Sequence, residues 1–450
     1  MRQAAAVSAG FLGLRRATAT GLVGPQERFG PLVTDPRGIL ALPEGFRYRT
    51  FSRAGETMDD GFLVPALHDG MAAFDAGEGR TLLVRNHEVN WGQAAAEGAF
   101  GPNLELLERL GADLLYDPGE GRRGPALGGT TTLLYDTREQ RLLGHRLSLS
   151  GTLRNCAGGP TPWGSWLSCE ESVLRRGQGR LRDHGYNFEV PAAWDAPMRP
   201  AVPLVAMGRF NHEAVAVHPE TGIVYQTEDD GEGLLYRFLP DAPGELTRGG
   251  RLQALAVRGR PRLDTRNWSR RGDGIEVGER LPVTWITLDA VESPDGDLRF
   301  RGFDAGAARF ARGEGMWWSG DGAYFACTNG GARRKGQIWR YTPSPREGQA
   351  GERAEPGTLE LFIEPDDGKL VENADNLTVA PWGDVIVCED GDGEDHVLGV
   401  TPEGEVYQLA RNLTGPGELA GATFSPDGST LFLNLQVQGL TVAITGPWSP

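Results

Sequence analysis

Residues 213–231 read EAVAVHPETGIVYQTEDDG. An acid opens the stretch, apolar residues follow in alternation, a Pro-Glu-Thr-Gly element interrupts them, and a second apolar run ends on acids. Period-two alternation broken by a Gly-containing turn describes a β-hairpin. The same shape recurs at 314–331 (EGMWWSGDGAYFACTNGG), 375–391 (DNLTVAPWGDVIVCEDG) and 420–436 (AGATFSPDGSTLFLNLQ). Looser copies lie at 156–172 (CAGGPTPWGSWLSCEES) and 69–88 (DGMAAFDAGEGRTLLVRNHE). Further strand-like runs follow several copies, as in LLYRFLP (234–240), QIWRYTP (337–343) and GEVYQLA (404–410). Six repeats of a hairpin with added strands predict an all-β fold, a six-bladed β-propeller with inter-blade insertions. The largest insertion falls near 240–310, and a strand within 42–52 is expected to complete the last blade. One propeller domain then covers 40–450.

Composition agrees with this reading and excludes others. The 450 residues carry 45 Lys+Arg against 61 Asp+Glu, a formal charge of −16. So acidic a chain lacks the basic surface that nucleic acid requires. Mean hydropathy is −0.36, and no run approaches the ~18 apolar residues of a membrane span, so stable membrane insertion is not expected. The 65 Gly and 30 Pro supply turns between short strands. The four cysteines, Cys156, Cys169, Cys327 and Cys388, form no CxxC pair, which argues against a zinc ribbon or a redox pair.

In a propeller the first strand of each blade lines the central channel, so equivalent repeat positions converge. Aligning the repeats superposes Asp69, Cys156, Glu213, Glu314, Asp375 and Ala420. A second set closes the second strand of each hairpin: Glu88, Glu170 and Glu171, Glu228, Asn329, Glu389 and Asn434. Carboxylates brought this close repel one another unless cations lie between them. Oxygen ligands suit hard ions such as Ca²⁺, Mg²⁺ or Mn²⁺, and one thiolate adds a place for a softer ion such as iron or zinc. The candidate metal ligands are therefore Cys156, Glu213, Glu314, Asp375, Glu389, Glu88 and Glu171. Cys169, Cys327 and Cys388 read as core thiols, and His87 and His212 as structural. Arg312, two residues before Glu314, is placed to reach an anion held by such metals.

Residues 4–14, AAAVSAGFLGL, are apolar and precede Arg15-Arg16. This resembles the core of a secretory signal, so 1–24 is expected to be a signal-like segment. The arginine pair follows the apolar run, whereas a twin-arginine signal has the pair before it. The expectation is a truncated twin-arginine signal whose own pair lies upstream of Met1.

The phrases LPEGFRYRTFSRAG (42–55), DGMAAF (69–74), LVRNHE (83–88), NCAGGPTPWGSWLSCEE (155–171), GRFNHEAVAV (208–217) and DNLTVAPWGDVIVCEDG (375–391) together resemble the PhoX-type alkaline phosphatase family, from about 40 to 440. The resemblance implies a six-bladed propeller, hydrolysis of small phosphate esters, Ca²⁺ and Fe³⁺ as cofactors, and twin-arginine export to the periplasm or beyond. It makes Cys156 an iron-binding cysteine and Glu213 and Glu314 channel glutamates. Arg312 becomes the arginine that holds the substrate phosphate, with Cys156 and Arg312 as the catalytic pair. Asp375, Glu389 and Asp390 all remain open for the last acidic ligand. The expected protein is a monomer. The other readings are a calcium-dependent, lactonase-like propeller hydrolase and a non-catalytic metal-stabilised binding module.

Overall fold

The computed structural model describes residues 28–121, 124–269, 274–365 and 371–448. The signal-like segment 1–24 lies outside the described residues. The fold is all-β, with one short α-helix, Leu298–Asp304, among the described residues. The sheets are arranged as in a propeller. Six hairpins start from His68–Asp75, Asn155–Pro160, His212–Val217, Gly313–Ser319, Ala374–Val379 and Leu419–Phe424, and each first strand pairs antiparallel with the next in sequence. These first strands pack side by side in that order, and the last packs against the first, closing a ring.

Outward from the ring the sheets differ. The His68 hairpin continues through Gly128–Asp136 and Arg141–Thr152 into four strands, whereas the Asn155 hairpin gains only Asn187–Pro191. Strand Arg280–Thr287, from the expected 240–310 insertion, pairs with both Gly250–Val257 and Thr358–Ile363. It thereby joins the His212 and Gly313 sheets into one continuous path. The Leu419 sheet takes its outermost strand from the other end of the chain. Arg47–Arg53 pairs with Leu440–Thr445, Tyr48 opposite Ile444, as the 42–52 reading expected. Arg85 helps fasten this closure: it donates to Thr441 Oγ1 (2.6 Å) and Ser52 Oγ (3.1 Å), one residue from each end strand. Apolar side chains fill the spaces between sheets, where Trp163, Trp317, Trp318 and Trp382 pack against the buried clusters.

All six inner ladders slip register near their start, between His68 and Met71, Asn155 and Gly158, His212 and Val215, Gly313 and Met316, Ala374 and Leu377, and Ala420 and Thr423. A β-bulge adds a residue and re-aims side chains. Here the bulges carry Asp69, Cys156, Glu213, Glu314, Asp375 and Gly421. The last repeat is therefore aligned one residue later than the sequence suggested, on Gly421 rather than Ala420. Beside the bulge, neighbouring inner strands nearly touch. A Cβ on Gly315 would lie 2.7 Å from the Asp375 carbonyl oxygen, and one on Gly70 only 2.5 Å from Ala157 Cα. Backbone cannot yield as a flexible side chain does. Gly315→Val is expected to destabilise the protein by roughly 1–3 kcal/mol, read as a lower urea midpoint. An unchanged midpoint would contradict the tight inner ring.

Candidate metal centre

The bulges bring the acids together at one end of the ring. The ligand atoms of Cys156, Glu171 and Glu213 lie within 4.8 Å of one another, all on buried residues. Those of Asp69, Glu88 and Glu418 form a second group of the same size. Arg154 spans the two groups, with Nε 2.8 Å from Glu88 Oε1 and Nη1 2.9 Å from Glu171 Oε1. Gln436 Nε2 donates within the second group, to Asp69 (3.0 Å), Glu88 (2.8 Å) and Glu418 (2.7 Å). Across the centre, Arg312 makes a two-pronged contact with Asp229 (2.7 and 2.9 Å) and a third bond to Glu314 (2.8 Å). The Asp375 carboxyl lies beside those of Glu314 and Glu418.

Burial drives the electrostatics. It pushes Asp69, Glu171, Glu213, Glu314 and Glu418 well above the usual carboxylate range, and their mutual repulsion adds to the shift. Asp375 is raised to about 6 by burial and then by Asp390. The Cys156 thiol is raised by burial, with Glu213 and Glu171 adding to it. Burial works against the charge on Arg154 and Arg312, yet the facing carboxylates raise both above the ordinary arginine range. Two arginines cannot neutralise so many carboxylates, so the donor set calls for cations. Carboxylate oxygens with one thiol fit hard ions and one softer ion.

The structure gathers Cys156, Glu213, Glu314, Asp375, Glu88 and Glu171, and places Asp390 exposed at the mouth. Glu389 is not brought into the cluster. Its carboxylate accepts from Glu372 N (2.7 Å), His396 N (3.0 Å) and His396 Nδ1 (3.0 Å), fastening a neighbouring loop. Glu170 and Glu228 behave alike, bound to Leu153 N and Gly185 N, and to Leu234 N and Tyr236 Oη. These three residues share one rung, opposite Ala374, Asn155 and His212. Cys327 takes that rung in the Gly313 sheet, so Asn329 is not its equivalent. The next residue along a strand points the other way, so Glu171 and Asp229 turn inward where Glu170 and Glu228 do not. His212 is structural, stacked on Phe210 with Nε2 3.0 Å from Gly208 O.

Sequence reasoning missed Asp229, Glu418, Arg154 and Gln436. The doublets Glu170-Glu171, Glu228-Asp229 and Glu389-Asp390 held the signal for Asp229, because the second acid of such a pair faces the centre. For Arg154 and Arg312 the signal was the position two residues before the aligned Cys156 and Glu314. Glu418 stands one residue further back, three before Gly421, and the carbonyls of Arg154, Arg312 and Glu418 accept from Glu171 N, Thr328 N and Gln436 N in turn. Arg154 and Arg312 are left-handed there (φ +48° and +53°), a turn that swings both side chains over the mouth.

Behind Glu171, His184 is buried between two carboxylates, with Nδ1 2.7 Å from Glu170 and Nε2 3.0 Å from Asp117. Burial disfavours its charge, but Glu170 and Asp117 outweigh burial and raise it to about 9. A raised histidine stabilises the fold fully below its ordinary value near 6.5 and loses that stabilisation as pH rises through about 9. The melting temperature of the protein is expected to fall between pH 8 and 10 more steeply than that of His184→Gln. Parallel curves would refute a charged His184.

Fold and site together define a propeller-like protein with a metal-type centre of buried acids. The sequence pattern of the family described as alkaline phosphatase PhoX matches residues 27–112 and 118–439, and the chain belongs to this family. The protein is thus a hydrolase of the phosphomonoesterase kind, in a metal-dependent family that acts on phosphate esters. Among solved structures it is similar to Pseudomonas fluorescens PhoX in complex with vanadate, a transition state analogue (TM-score 0.65, 19% identity, covering 94% of this chain and 98% of that one). A Xanthomonas campestris gluconolactonase is a more distant likeness (TM-score 0.39, 14% identity, 89% and 100% covered). Among curated proteins none matches. No helix among the described residues is long and apolar enough to cross a membrane.

Proposed function

We propose that the chain is a six-bladed propeller phosphomonoesterase whose centre holds Ca²⁺ and Fe³⁺. The observation that carries the reading is the meeting of Cys156, Glu171 and Glu213 with a second acidic group of Asp69, Glu88 and Glu418, under two arginines. The thiolate side would hold iron. Asp69, Glu88, Glu418, Glu314 and Asp375 would hold calcium, with Asp390 at the rim. Such ions supply charge neutralisation of the phosphate and a deprotonated oxygen nucleophile near neutral pH.

The chain's own residues do the rest. Phosphoryl transfer depends mainly on positioning and charge compensation. Arg312 is fixed through Nε and Nη2 by Asp229 and Glu314, and Nη1 has no partner among the described residues. It is therefore poised to hold a non-bridging phosphate oxygen. Arg154 keeps Glu88 and Glu171 oriented. The inner ring excludes bulk water beneath, so these charges act in a low dielectric. The chain works as a monomer in the periplasm or outside the cell, with 1–24 as its export segment.

The test is release of p-nitrophenol from its phosphate ester at alkaline pH. Protein is compared as isolated, after EDTA, and after EDTA with calcium restored. Activity lost and regained supports the reading; no turnover in calcium- and iron-replete protein sinks it.

A further inference from the structure

A second feature borders the mouth and takes no part in the metal centre. Trp268 is held between the two turns that flank Arg312. Its Nε1 donates to Asn329 O (2.7 Å), next to Thr328, whose N–H bonds to Arg312 O. On the other side, its ring lies against Gly231, the residue after Asp230, whose carbonyl accepts Arg312 N. Arg266 fixes the ring from beneath the turn: its guanidinium carbon is 4.0 Å from the ring centroid. Each of its three nitrogens donates once, Nε and Nη2 to Asp264 (2.7 Å each) and Nη1 to Gly231 O (2.9 Å). The guanidinium carbon of Arg334 lies 4.2 Å from the same centroid. Arg334 stands at φ +56° in the turn that begins at Gly331, and it is exposed, as is Arg333. Asn373 ties this turn to the rim, donating to Thr328 O (3.0 Å) and Arg334 O.

We propose that Arg334, stacked on Trp268, is a specificity-determining residue that binds a second anionic group on the alcohol portion of the phosphate ester. The proposal rests on the phosphatase reading above. An ester held by Arg312 would extend its leaving group toward solvent, and Trp268 and Arg334 stand against the turns on either side of Arg312. A guanidinium stacked on an aromatic face keeps its N–H edges directed outward, in the geometry that suits a carboxylate or phosphate. In a chain of net charge −16, the exposed Arg333 and Arg334 offer positive charge beside the mouth to a doubly anionic ester.

The test compares kcat/KM for 3-phosphoglycerate, which carries a carboxylate beside its phosphate ester, with that for p-nitrophenyl phosphate. In metal-replete protein at low salt, Arg334→Gln is expected to lower the ratio of the two by on the order of tenfold. Trp268→Leu should lower it by less, and Arg334→Lys should restore part of it. The preference should also fade as salt is raised. An unchanged ratio in Arg334→Gln overturns the subsite while leaving the phosphatase intact. A nucleoside monophosphate that loses as much as 3-phosphoglycerate in Trp268→Leu, with Arg334→Gln inert, would replace an anion subsite with a base-stacking one and so also overturn it. Turnover of neither ester by the unaltered protein overturns the phosphatase reading and the subsite with it.

Discussion

Replacing Arg312 by methionine is expected to lower kcat for p-nitrophenyl phosphate by on the order of 10³, with the fold and the bound metals retained. Arg312 enters the mouth from a left-handed residue and is fixed on two edges by Asp229 and Glu314. It is preorganised, so it would compensate developing charge on the phosphate without first reorganising. Its side chain is 38% exposed, so its loss opens no cavity in the core. Arg312→Lys should recover little, because an ammonium lacks the planar fork that pairs with Asp229 through two nitrogens and leaves a third free for phosphate. Steady-state kinetics with metal analysis on the same samples decide the matter. A variant with full metal content and near-normal kcat would remove Arg312 from the chemistry.

Stripping cations with EDTA is expected to lower the melting temperature at pH 8 by on the order of 5 °C, and by much less at pH 5. The reason is the sign of the carboxyl shifts. In the metal-free fold, burial raises these acids above their unfolded values, Asp375 to about 6 and Asp69, Glu213 and Glu314 further. A raised acid contributes stability that is complete below its unfolded value near 4 and is lost as pH rises through its folded value. The metal-free protein should therefore become less stable from pH 5 to 8. With calcium restored the deprotonated acids have counter-charges, and the decline should disappear. Melting curves across this range, with and without calcium, are the measurement. The same slope in both conditions would mean that these acids hold no ion.

Much of this site is legible along the chain, but only in part. The hairpin at 213–231 and its echoes identify the fold because turns and period-two alternation are local properties. The aligned acids Asp69, Glu213, Glu314 and Asp375 follow from that repeat, as does the lone thiol at Cys156. Glu389 shows where linear reading stops. It ends a strand as Glu171 nearly does, but it lies one rung short, and alternation turns it to His396 instead of the centre. Asp229 and Glu418 escaped for the converse reason. One is the second acid of a doublet, and the other belongs to a repeat whose ladder carries an extra rung before its bulge.

The sequence by itself determined the all-β repeat, the closing strand from 42–52 and the residue types available for ligands, because each depends on spacing and chemistry along one strand. Tertiary structure alone decided which acids share a centre. Six bulges had to fall at one level, and two left-handed arginines had to swing over the same mouth. Trp268 had to be carried by an insertion to the rim beside Arg312. Those are contacts between segments far apart in the chain, set by how the inner strands pack around the ring, and no local pattern encodes them.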